Sequence, residues 1–492
     1  MDNDNIKEKI QIKMGLEVHI TLKSLKKIFN LNQTFKDNNE LINDVESWEL
    51  GYLGTLPIIN NEVLILAIKL CLFLDLKINK NVVFDRKIYN YFDLSKGFQI
   101  TQQRYPIGEN GSLPIFIDNQ VKKISISRVQ LEEDTAKSFY EDSEVSLDFN
   151  RSGNPLIELV TDPVFNDIET LISFIKQLQN LLRYLDISEA KMEKGQFRMD
   201  LNFSFKFSDD YQTPRYEIKN LNSLKNLKNS VDQEIEKHYE IFKNRTKINS
   251  PLKSETLSFN EKTQKTFVQR EKTKYFYLPE INIPLIKIND KDIDKVKENL
   301  PISPWKILEK ITKLQNNKNC NFIFEKPFLL KFINLLEKRN IYYLENFDNL
   351  VIFFFNHLIP SLHCFNDEEI FLFFEKNIDS IWKIFIYWKD KIISKIEINN
   401  FISMILSEKF SFSDIENQIK NKLNENKNFN IEDLQKEIQI ILEENSINKK
   451  IISQPSKLSN FFFGKLKSKF PNRIIKFEDI NYLSTKMSEK NI

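Results

Sequence analysis

Polar and apolar residues alternate in four segments of the sequence, and the polar positions carry the side chains best suited to chemistry. Successive side chains on a β-strand point to opposite faces, so each segment predicts a strand with one polar face. The predicted strands are Gly15–Leu22, Lys123–Leu131, Phe197–Phe205 and Tyr216–Lys219. If they pair in one sheet, its polar face carries Glu17, His19, Glu132, Asp200 and Glu217, together with Arg128, Arg198 and Lys219.

This mixture of acids and bases is the set that phosphoryl or nucleotidyl transfer requires. Carboxylates bind Mg²⁺, Arg and Lys neutralise phosphate oxygens, and such catalysis consists mostly of positioning and charge stabilisation. His19 lies two residues from Glu17 on the same face, which makes it a candidate metal ligand or a group that supports one. The alternative stays open, because every half-exposed antiparallel sheet has one polar face. The sequence contains neither a P-loop nor a dinucleotide glycine motif.

Helices and loops between the strands must position these side chains. The predicted helices are Asn61–Leu76, Asp167–Leu185 and Leu221–Phe242. The second has Asn166 before it and Glu169 three residues on, which resembles a capping box. Polar loops are predicted between the elements, including Thr101–Gly111 and Glu141–Pro155. The pattern predicts an α+β fold with an antiparallel sheet.

The character of the sequence changes at about residue 290, where strand alternation fades and helical spacing takes over. The predicted helices there include Trp305–Leu314, Lys326–Lys338 and Asp367–Trp388. Phenylalanines recur at helical spacing, such as Phe328 with Phe332 and Phe371 with Phe374. This spacing predicts packing in the core of an all-α region rather than a ligand site.

The overall composition excludes several classes of protein. The 492 residues include 71 Lys and Arg and 69 Asp and Glu, so the net charge of +2 says nothing about partners. The three cysteines lie far apart and indicate neither a disulfide framework nor a zinc site, which favours a reducing cytoplasm. No apolar segment is long enough to predict a membrane span. Only nine glycines occur, while Phe, Lys and Asn are abundant, which is typical of an AT-rich genome.

The last part of the sequence is much more basic than the rest. Residues 449–492 contain ten Lys and Arg against three acidic residues, a net charge of +7. Clustered cations displace counterions from phosphates, so one interpretation is a nucleic-acid-binding tail. The other interpretation is a lysine-rich solvated surface produced by codon bias, and charge alone does not distinguish the two.

Short motifs follow one another in the order seen in one known family. They are Gly15–His19, Leu50–Pro57, Phe84–Lys87, Asp93–Gln102, Leu131–Asp134, Asn150–Glu158, Arg198–Asn202 and Glu217–Ser223. Together they resemble GatB, the B subunit of the aspartyl/glutamyl-tRNA amidotransferases. The resemblance is faint from about Pro301 to Asn445, and it returns at Phe462–Lys465 in the basic tail.

The resemblance implies an ATP-dependent carbon–nitrogen ligase that acts on misacylated tRNA. In the implied reaction, ATP with Mg²⁺ phosphorylates the side-chain carboxylate of Glu-tRNA(Gln), Asp-tRNA(Asn) or both, and ammonia then displaces the phosphate. An amidase, the A subunit of such complexes, releases the ammonia from glutamine. The alternative is a catalytically decayed scaffold that only binds tRNA.

The resemblance also implies roles for individual residues. The implied catalytic residues are Glu17, His19, Glu132, Asp200 and Glu217, of which Glu17, His19 and Glu132 bind the metal. The implied ATP and phosphate contacts are Lys87, Arg151, Arg198 and Lys219. The implied tRNA contacts are Lys465, Lys467, Lys469 and Arg473. Many family members carry zinc-binding cysteines in the first loops, but Asn30 and Glu46–Glu49 stand there in this sequence, so no zinc is expected.

The domain organisation and partners follow from the same resemblance. We expect a catalytic cradle over residues 1–292, a helical domain over 293–405, and a helical, tRNA-binding tail domain over 406–492. We expect a heterotrimer in which a small third protein, the C subunit, bridges this chain and the amidase, without contact to a membrane. The expected setting is the cytoplasm of a bacterium with a reduced genome rather than an organelle.

Overall fold

A computed structural model describes residues 11–30, 32, 45–118, 120–141, 144–206, 212–244, 253–271, 275–314, 326–407, 412–425, 431–444, 455–470 and 475–489. The chain divides into two compact units, Met1–Leu330 and Lys331–Ile492. The strands belong to the first unit, and the described part of the second unit is helical. The division into three domains remains a prediction.

The first unit is built around one large sheet. Its described strands are β1 (Gln11–Thr21), β2 (Lys77–Ile78), β3 (Asn81–Val82), β4 (Asp85–Ile88), β5 (Phe98–Thr101), β6 (Gly108–Ile117), β7 (Gln120–Glu133), β8 (Lys137–Glu141), β9 (Glu144–Asp148), β10 (Pro155–Thr161), β11 (Phe197–Lys206), β12 (Tyr216–Leu221), β13 (Glu255–Asn260), β14 (Lys265–Glu271), β15 (Phe276–Pro279) and β16 (Ile286–Lys287). Within the described residues, the large sheet has nine strands in the order β14-β13-β12-β11-β1-β10-β7-β6-β2. Strands β12 and β13 are parallel, and the other neighbours are antiparallel.

Strand β1 lies between β10 and β11 and shows how the sequence pattern builds the sheet. Its apolar side chains Leu16, Val18 and Ile20 are at most 1% exposed. Glu17 and His19 alternate with them and point to the opposite, partly accessible face. One face of the central strand is therefore core, and the other is left for chemistry.

Helices of the first unit pack against strands of the large sheet, two of them as follows. The described helices of this unit are α1 (Asn61–Phe73), α2 (Ile168–Tyr184), α3 (Leu224–Lys243), α4 (Asp290–Glu298) and α5 (Pro304–Leu314). Helix α2 packs against β6, where the Gln177 side chain bonds both backbone groups of Phe116, and α3 packs against β12 and β14. The side chain of Asp167 accepts a hydrogen bond from the Thr170 backbone N–H, so the N-cap is Asp167 rather than the predicted Asn166.

The α+β class is confirmed, and each of the four predicted strands is present. Two details differ from the prediction. The parallel pair β12–β13 departs from a purely antiparallel sheet, since the long α3 connection returns the chain in the same direction. The predicted loops Thr101–Gly111 and Glu141–Pro155 contain the beginning of β6 and the whole of β9, because strand segments rich in polar residues and glycine resemble loops in sequence.

A small three-stranded sheet, ordered β15-β4-β5, contacts the polar face of the large sheet along β7. The Gln130 Nε2 atom lies 3.2 Å from Thr101 Oγ1, and the Ile100 backbone N–H donates to Glu133 Oε1 at 2.9 Å. Gln130 and Glu132 are each 2% exposed as a result. The polar face is therefore closed along β7, which alternation alone did not predict.

The second unit continues the helical part of the chain. With α6 (Pro327–Lys338), whose first residues precede the boundary, its described helices are α7 (Phe347–Phe353), α8 (Asp367–Lys389), α9 (Lys395–Leu406), α10 (Phe412–Glu425), α11 (Ile431–Glu444), α12 (Pro455–Lys469) and α13 (Phe477–Glu489). Phenylalanine rings form much of its core, with the centroids of Phe332 and Phe374 5.2 Å apart. None of the helices in the described part of the chain has the length and apolarity needed to cross a membrane.

A buried ion pair joins two loops of the first unit. The Lys27 ammonium contacts the Glu49 carboxylate, and their side chains are only 5% and 1% exposed. The Asn30 Nδ2 atom donates to the same carboxylate at 3.0 Å. Gly153 approaches it with a φ of +74°, and a Cβ at Gly153 would lie 2.9 Å from Glu49 Oε1. The local fold of these loops therefore depends on one buried charge and its partners.

We predict that Lys27→Met lowers the free energy of unfolding by about 3–5 kcal/mol, because it leaves the Glu49 charge buried without its partner. Urea titration of the purified protein measures this loss. The matched control is Lys80→Met, which removes an exposed ion pair between Lys80 Nζ and Asp290 Oδ1, 2.7 Å apart. The control is expected to cost less than about 1 kcal/mol, and equal losses in the two variants would contradict the prediction.

Candidate functional site

The candidate site is centred on Glu17 and His19 in the middle of β1. The strand register pairs His19 with Glu158 of β10 and Arg198 of β11, and it pairs Glu17 with Asp200 of β11. Directly paired residues point to the same face, so these five side chains share the polar face of the sheet. One ligand atom from each of Glu17, His19 and Glu158 lies within 4.8 Å of the others.

The imidazole of His19 lies between two carboxylates. Its Nε2 atom is 3.6 Å from Glu17 Oε1, and its Nδ1 atom is 3.5 Å from Glu132 Oε1. Burial lowers the pKa of His19, but the adjacent carboxylates of Glu132 and Glu17 raise it to about 10. Burial raises the pKa of Glu17, but contact with His19 and the charges of Lys219 and Lys87 lower it to about 2. The cluster therefore favours a positive charge between its carboxylates.

Glu158 is a deeply buried acid on β10 and is held by two neighbours on β7. The Gln130 Nε2 atom donates to Glu158 Oε2 at 3.0 Å, and Arg128 Nη2 lies 3.5 Å from Glu158 Oε1. Burial, followed by the charges of Glu17 and Glu132, raises the pKa of Glu158 to about 8. A cation beside this carboxylate would oppose both effects and favour its charged form.

The small sheet brings Lys87 of β4 to the acids. Its Nζ atom lies 4.7 Å from the ring centroid of Tyr275 and 5.8 Å from that of Tyr89. Burial lowers the pKa of Lys87, but the charges of Glu132 and Glu158 contribute to a net increase. Lys87 therefore stays protonated, and it lies on the element that closes the polar face.

A second cation lies on the other side of β1. The Lys219 Nζ atom is 2.6 Å from Asp200 Oδ2 and 3.6 Å from Glu217 Oε1. The Thr256 hydroxyl, from the parallel neighbour β13, donates to Glu217 Oε2 at 3.2 Å. Burial lowers the pKa of Lys219, but the charges of Asp200 and Glu217 raise it overall. These three charged groups form one network across β11 and β12.

Two arginines converge on Asp134, just after β7. Arg198 Nη2 lies 2.9 Å from Asp134 Oδ2, and Arg151 Nε lies 3.9 Å from Asp134 Oδ1. The Arg151 Nε and Nη2 atoms also donate to the carbonyl oxygens of Thr135 and Ala136, at 2.9 and 3.0 Å. Arg151 therefore holds the loop at the edge of the site, and Arg198 belongs to the charged face itself.

Several buried polar atoms on this face lack a hydrogen-bond partner among the described residues. They are Gln130 Oε1, Glu132 Oε2, Arg128 Nε and Arg198 Nε. Buried polar atoms in proteins are normally paired, so unpaired donors and acceptors beside a charged cluster are features of a site for a polar ligand.

The structure brings together most of the residues that the sequence singled out. The residues on the shared face are Glu17, His19, Glu132, Asp200, Glu217, Arg198 and Lys219, and Lys87 reaches the acids from the small sheet. Arg151 is linked to them only through Asp134. Lys465, Lys467 and Lys469 lie in α12 of the second unit, and Arg473 lies outside the described residues.

Sequence reasoning missed Glu158 and Asp134. Glu158 is the single acid in the apolar run Leu156–Val160, and this was the available signal. Strand β10 is almost entirely buried, so it lacks the alternation that marked the other strands. The structure puts Glu158 in the close ligand cluster, whereas Glu132 contacts the ring of His19.

The donor set of the cluster suits a divalent cation. Two carboxylates provide the hard oxygen ligands that Mg²⁺ prefers, and the imidazole extends the range to transition metals such as Mn²⁺. The surrounding lysines and arginines would neutralise phosphate oxygens beside that cation. The arrangement can therefore hold a metal–phosphate group against the sheet.

These features define a class: α+β proteins with an acid–base site on the face of a mainly antiparallel sheet. The GatB/GatE catalytic domain family matches residues 12–294, which is more than half of the chain. The chain belongs to this family, which confirms the resemblance found in its motifs.

Relatives from Mycoplasmopsis species and a relative with a mitochondrial name are similar to this chain. The B subunit of the aspartyl/glutamyl-tRNA(Asn/Gln) amidotransferase of Mycoplasmopsis pulmonis (strain UAB CTIP) is 41% identical over 295 residues, 59% of this chain and 61% of that protein. The protein of the same name from Mycoplasmopsis synoviae (strain 53) is 34% identical over 461 residues, 92% of this chain and 93% of that protein. The B subunit of the mitochondrial glutamyl-tRNA(Gln) amidotransferase of Scheffersomyces stipitis is 37% identical over 311 residues, 61% of this chain and 59% of that protein. The first of these matches spans about three fifths of the relative's length.

We predict that Glu158→Gln weakens Mn²⁺ binding by about ten-fold or more, because it removes one of the two carboxylate ligands of the cluster. Electron paramagnetic resonance of free Mn²⁺ during titration measures the affinity. The control is Glu189→Gln, an exposed acid whose Oε2 atom lies 3.0 Å from Lys191 Nζ, and it should bind Mn²⁺ as the unchanged protein does. A larger loss in Glu132→Gln than in Glu158→Gln would instead make Glu132 the ligand.

Proposed function

We propose that this chain is the B subunit of a glutamine-dependent tRNA amidotransferase and activates the side-chain carboxylate of Glu-tRNA(Gln), Asp-tRNA(Asn) or both. The observation that carries the proposal is the carboxylate–imidazole cluster with Lys87, Lys219 and Arg198 on the same face. The family membership and the names of the relatives support it. The proposed setting is a bacterial cytoplasm.

The proposed chemistry explains why acids and cations must occur together. A carboxylate is a poor acceptor for ammonia until one of its oxygens becomes a leaving group. Transfer of the γ-phosphoryl group of ATP to that oxygen releases ADP and gives an acyl phosphate. Attack by ammonia then forms the amide and releases phosphate. Both steps move negative charge on phosphoryl oxygens, which fixed cations stabilise.

Each residue of the site has a proposed role. Glu17, His19 and Glu158 would hold Mg²⁺, which would offset the charge of the ATP phosphates. Glu132 orients the His19 ring through Nδ1, as residues behind metal ligands commonly do. The cations Lys87, Lys219, Arg198 and, at the edge, Arg151 would contact the phosphates. Asp200 and Glu217 hold the Lys219 ammonium in place.

The proposal includes partners. An amidase, the A subunit, would release ammonia from glutamine, and the small C subunit would bridge the two larger proteins. The basic α12 would contact tRNA, and its Lys465 is exposed. The absence of zinc from the first loops stays a prediction, and the buried Lys27–Glu49 pair lies in those loops.

The second candidate is a scaffold that binds tRNA but has lost catalysis. The retained acidic cluster favours the enzyme. The direct test combines the purified chain with its partner proteins, Glu-tRNA(Gln) or Asp-tRNA(Asn), ATP, Mg²⁺ and glutamine, and it looks for the amidated aminoacyl-tRNA. Formation of Gln-tRNA or Asn-tRNA supports the enzyme, while tRNA binding without product supports the scaffold.

We predict that Glu17→Gln and Asp200→Asn each lower the rate of amidation by at least about 100-fold, because each removes a charge that organises the phosphates. Binding of tRNA should stay within about three-fold. Initial rates with saturating substrates and filter binding measure the two quantities. Asp232→Asn, an exposed substitution on α3, is the control and should leave both unchanged. Full activity of either site variant would exclude that residue from the site.

We predict that Lys465→Ala with Lys467→Ala weakens tRNA binding and lowers the slope of log affinity against log salt, because fewer counterions are released. Point variants are preferable to deletion of the tail, since Leu458, Phe462 and Leu466 of α12 pack in one core with Ile438 and Ile441 of α11. The control is Lys291→Ala with Lys297→Ala in α4, which carries the same change of charge. Equal slopes in all three proteins would show that α12 is merely lysine-rich.

A further inference from the structure

A cleft of about 750 Å³ lies in the second unit, and all of its lining residues belong to that unit. It is lined by Phe355, Asn356, His357, Pro360, Ser361, His363, Lys395, Asn399 and Ser403. Clefts of this size are typical of sites for small ligands. None of the roles proposed above uses it.

The cleft results from an irregular helix packed against a regular one. Residues Phe354–Leu358 form a π-helical turn, which continues into a 3₁₀ turn over Ile359–Leu362. On the other wall, Lys395, Asn399 and Ser403 are spaced four residues apart along α9 and so share one face. A π-turn widens a helix locally and often occurs at a functional site.

One lining residue of this cleft, His357, carries a buried ring nitrogen without a partner among the described residues. His357 is 8% exposed, and among the described residues its Nδ1 atom has no hydrogen-bond partner. Its ring lies against Phe353 and Trp388, with centroids 6.0 and 5.2 Å away. Burial and then the charge of Lys395 lower the pKa of His357, so the ring is neutral and offers one donor and one acceptor.

The other lining residues supply a positive charge, amide and hydroxyl groups, and an aromatic ring. Lys395 supplies an ammonium, and no Asp or Glu lines the cleft in the part of the chain that is described. The Ser361 hydroxyl donates to the His357 carbonyl oxygen at 2.8 Å, and Asn399 Oδ1 lies 3.2 Å from the same hydroxyl oxygen. Asn356 adds a second amide, and Phe355 adds an aromatic ring. A ligand that carries an anionic group, an edge of hydrogen-bond donors and acceptors, and an aromatic ring would match these lining side chains.

We propose that this cleft binds one nucleoside monophosphate unit, with its phosphate at Lys395 and its base among Asn356, His357 and Asn399. Amide side chains pair with base edges, and aromatic rings stack on bases, in the recognition of unpaired nucleotides. Two sources supply such a nucleotide: an unpaired position of a bound RNA, or a free nucleotide in solution. The RNA source rests on the proposed function, whereas the free nucleotide does not.

The test uses the full chain and two variants of the cleft, Lys395→Glu and Asn399→Ala. The control is Lys436→Glu, which makes the same change of charge at an exposed position of α11. Equilibrium dialysis measures binding of each of the four nucleoside 5′-monophosphates and of inorganic phosphate, and filter binding measures the affinity for tRNA at several salt concentrations. Circular dichroism confirms that the variants are folded.

If the source is RNA, both cleft variants weaken tRNA binding by about five-fold or more, and Lys395→Glu lowers the salt slope by about one. If the source is a free nucleotide, at least one monophosphate binds the unchanged protein and is lost from both variants, while tRNA binding stays the same. Unchanged binding of every probe in both variants overturns the proposal. Equal binding of phosphate and of the nucleotides also overturns it, because the site would then recognise only an anion. Amidation by the unchanged complex is measured separately, so failure of the proposed function is distinguished from failure of this inference.

Discussion

Negative charge held on a half-buried face is the constraint on which the rest of the first unit depends. Glu17, Glu132 and Glu158 lie around one imidazole, and Coulomb repulsion between them is strong where water is partly excluded. Each acid has a cation within reach: His19 serves Glu17 and Glu132, and Arg128 serves Glu158. Removal of His19 would leave the Glu17 and Glu132 charges without their partner, so these three residues must be present together.

The strand order of the large sheet produces this network. Strand β1 comes first in the chain, but its neighbours β10 and β11 come from far along it, and β7 pairs with β10. The acids meet only when these long-range pairings have formed in the correct register, because a shift of one residue would turn Glu17 and His19 into the core. The apolar alternation of β1 therefore fixes the register, and the register in turn positions the charges.

The sequence alone could predict the faces of single strands, but not the pairing between distant strands. Alternation in β1 and β11 identified the face of Glu17, His19 and Asp200, because one side of each strand is core. The prediction missed Glu158 because a strand that is buried on both faces shows no alternation of polar and apolar residues. The sheet that covers β7 was missed because its central strand β4 pairs with β15, a strand much later in the chain, and no local sequence pattern predicts such a pairing. The motifs that resemble the family reached Lys87, which alternation alone could not place on this face.

The same network bears on the choice between an enzyme and a decayed scaffold. Apolar residues of similar volume would serve a structural role at least as well, since buried ion networks seldom add stability. This face instead keeps acids whose pKa values are displaced in both directions, with Glu17 at about 2 and Glu158 at about 8. It also keeps buried arginine Nε atoms that no described residue satisfies. A face that only supported the sheet would have no physical reason to bear these costs, whereas a site that receives a charged ligand would have one.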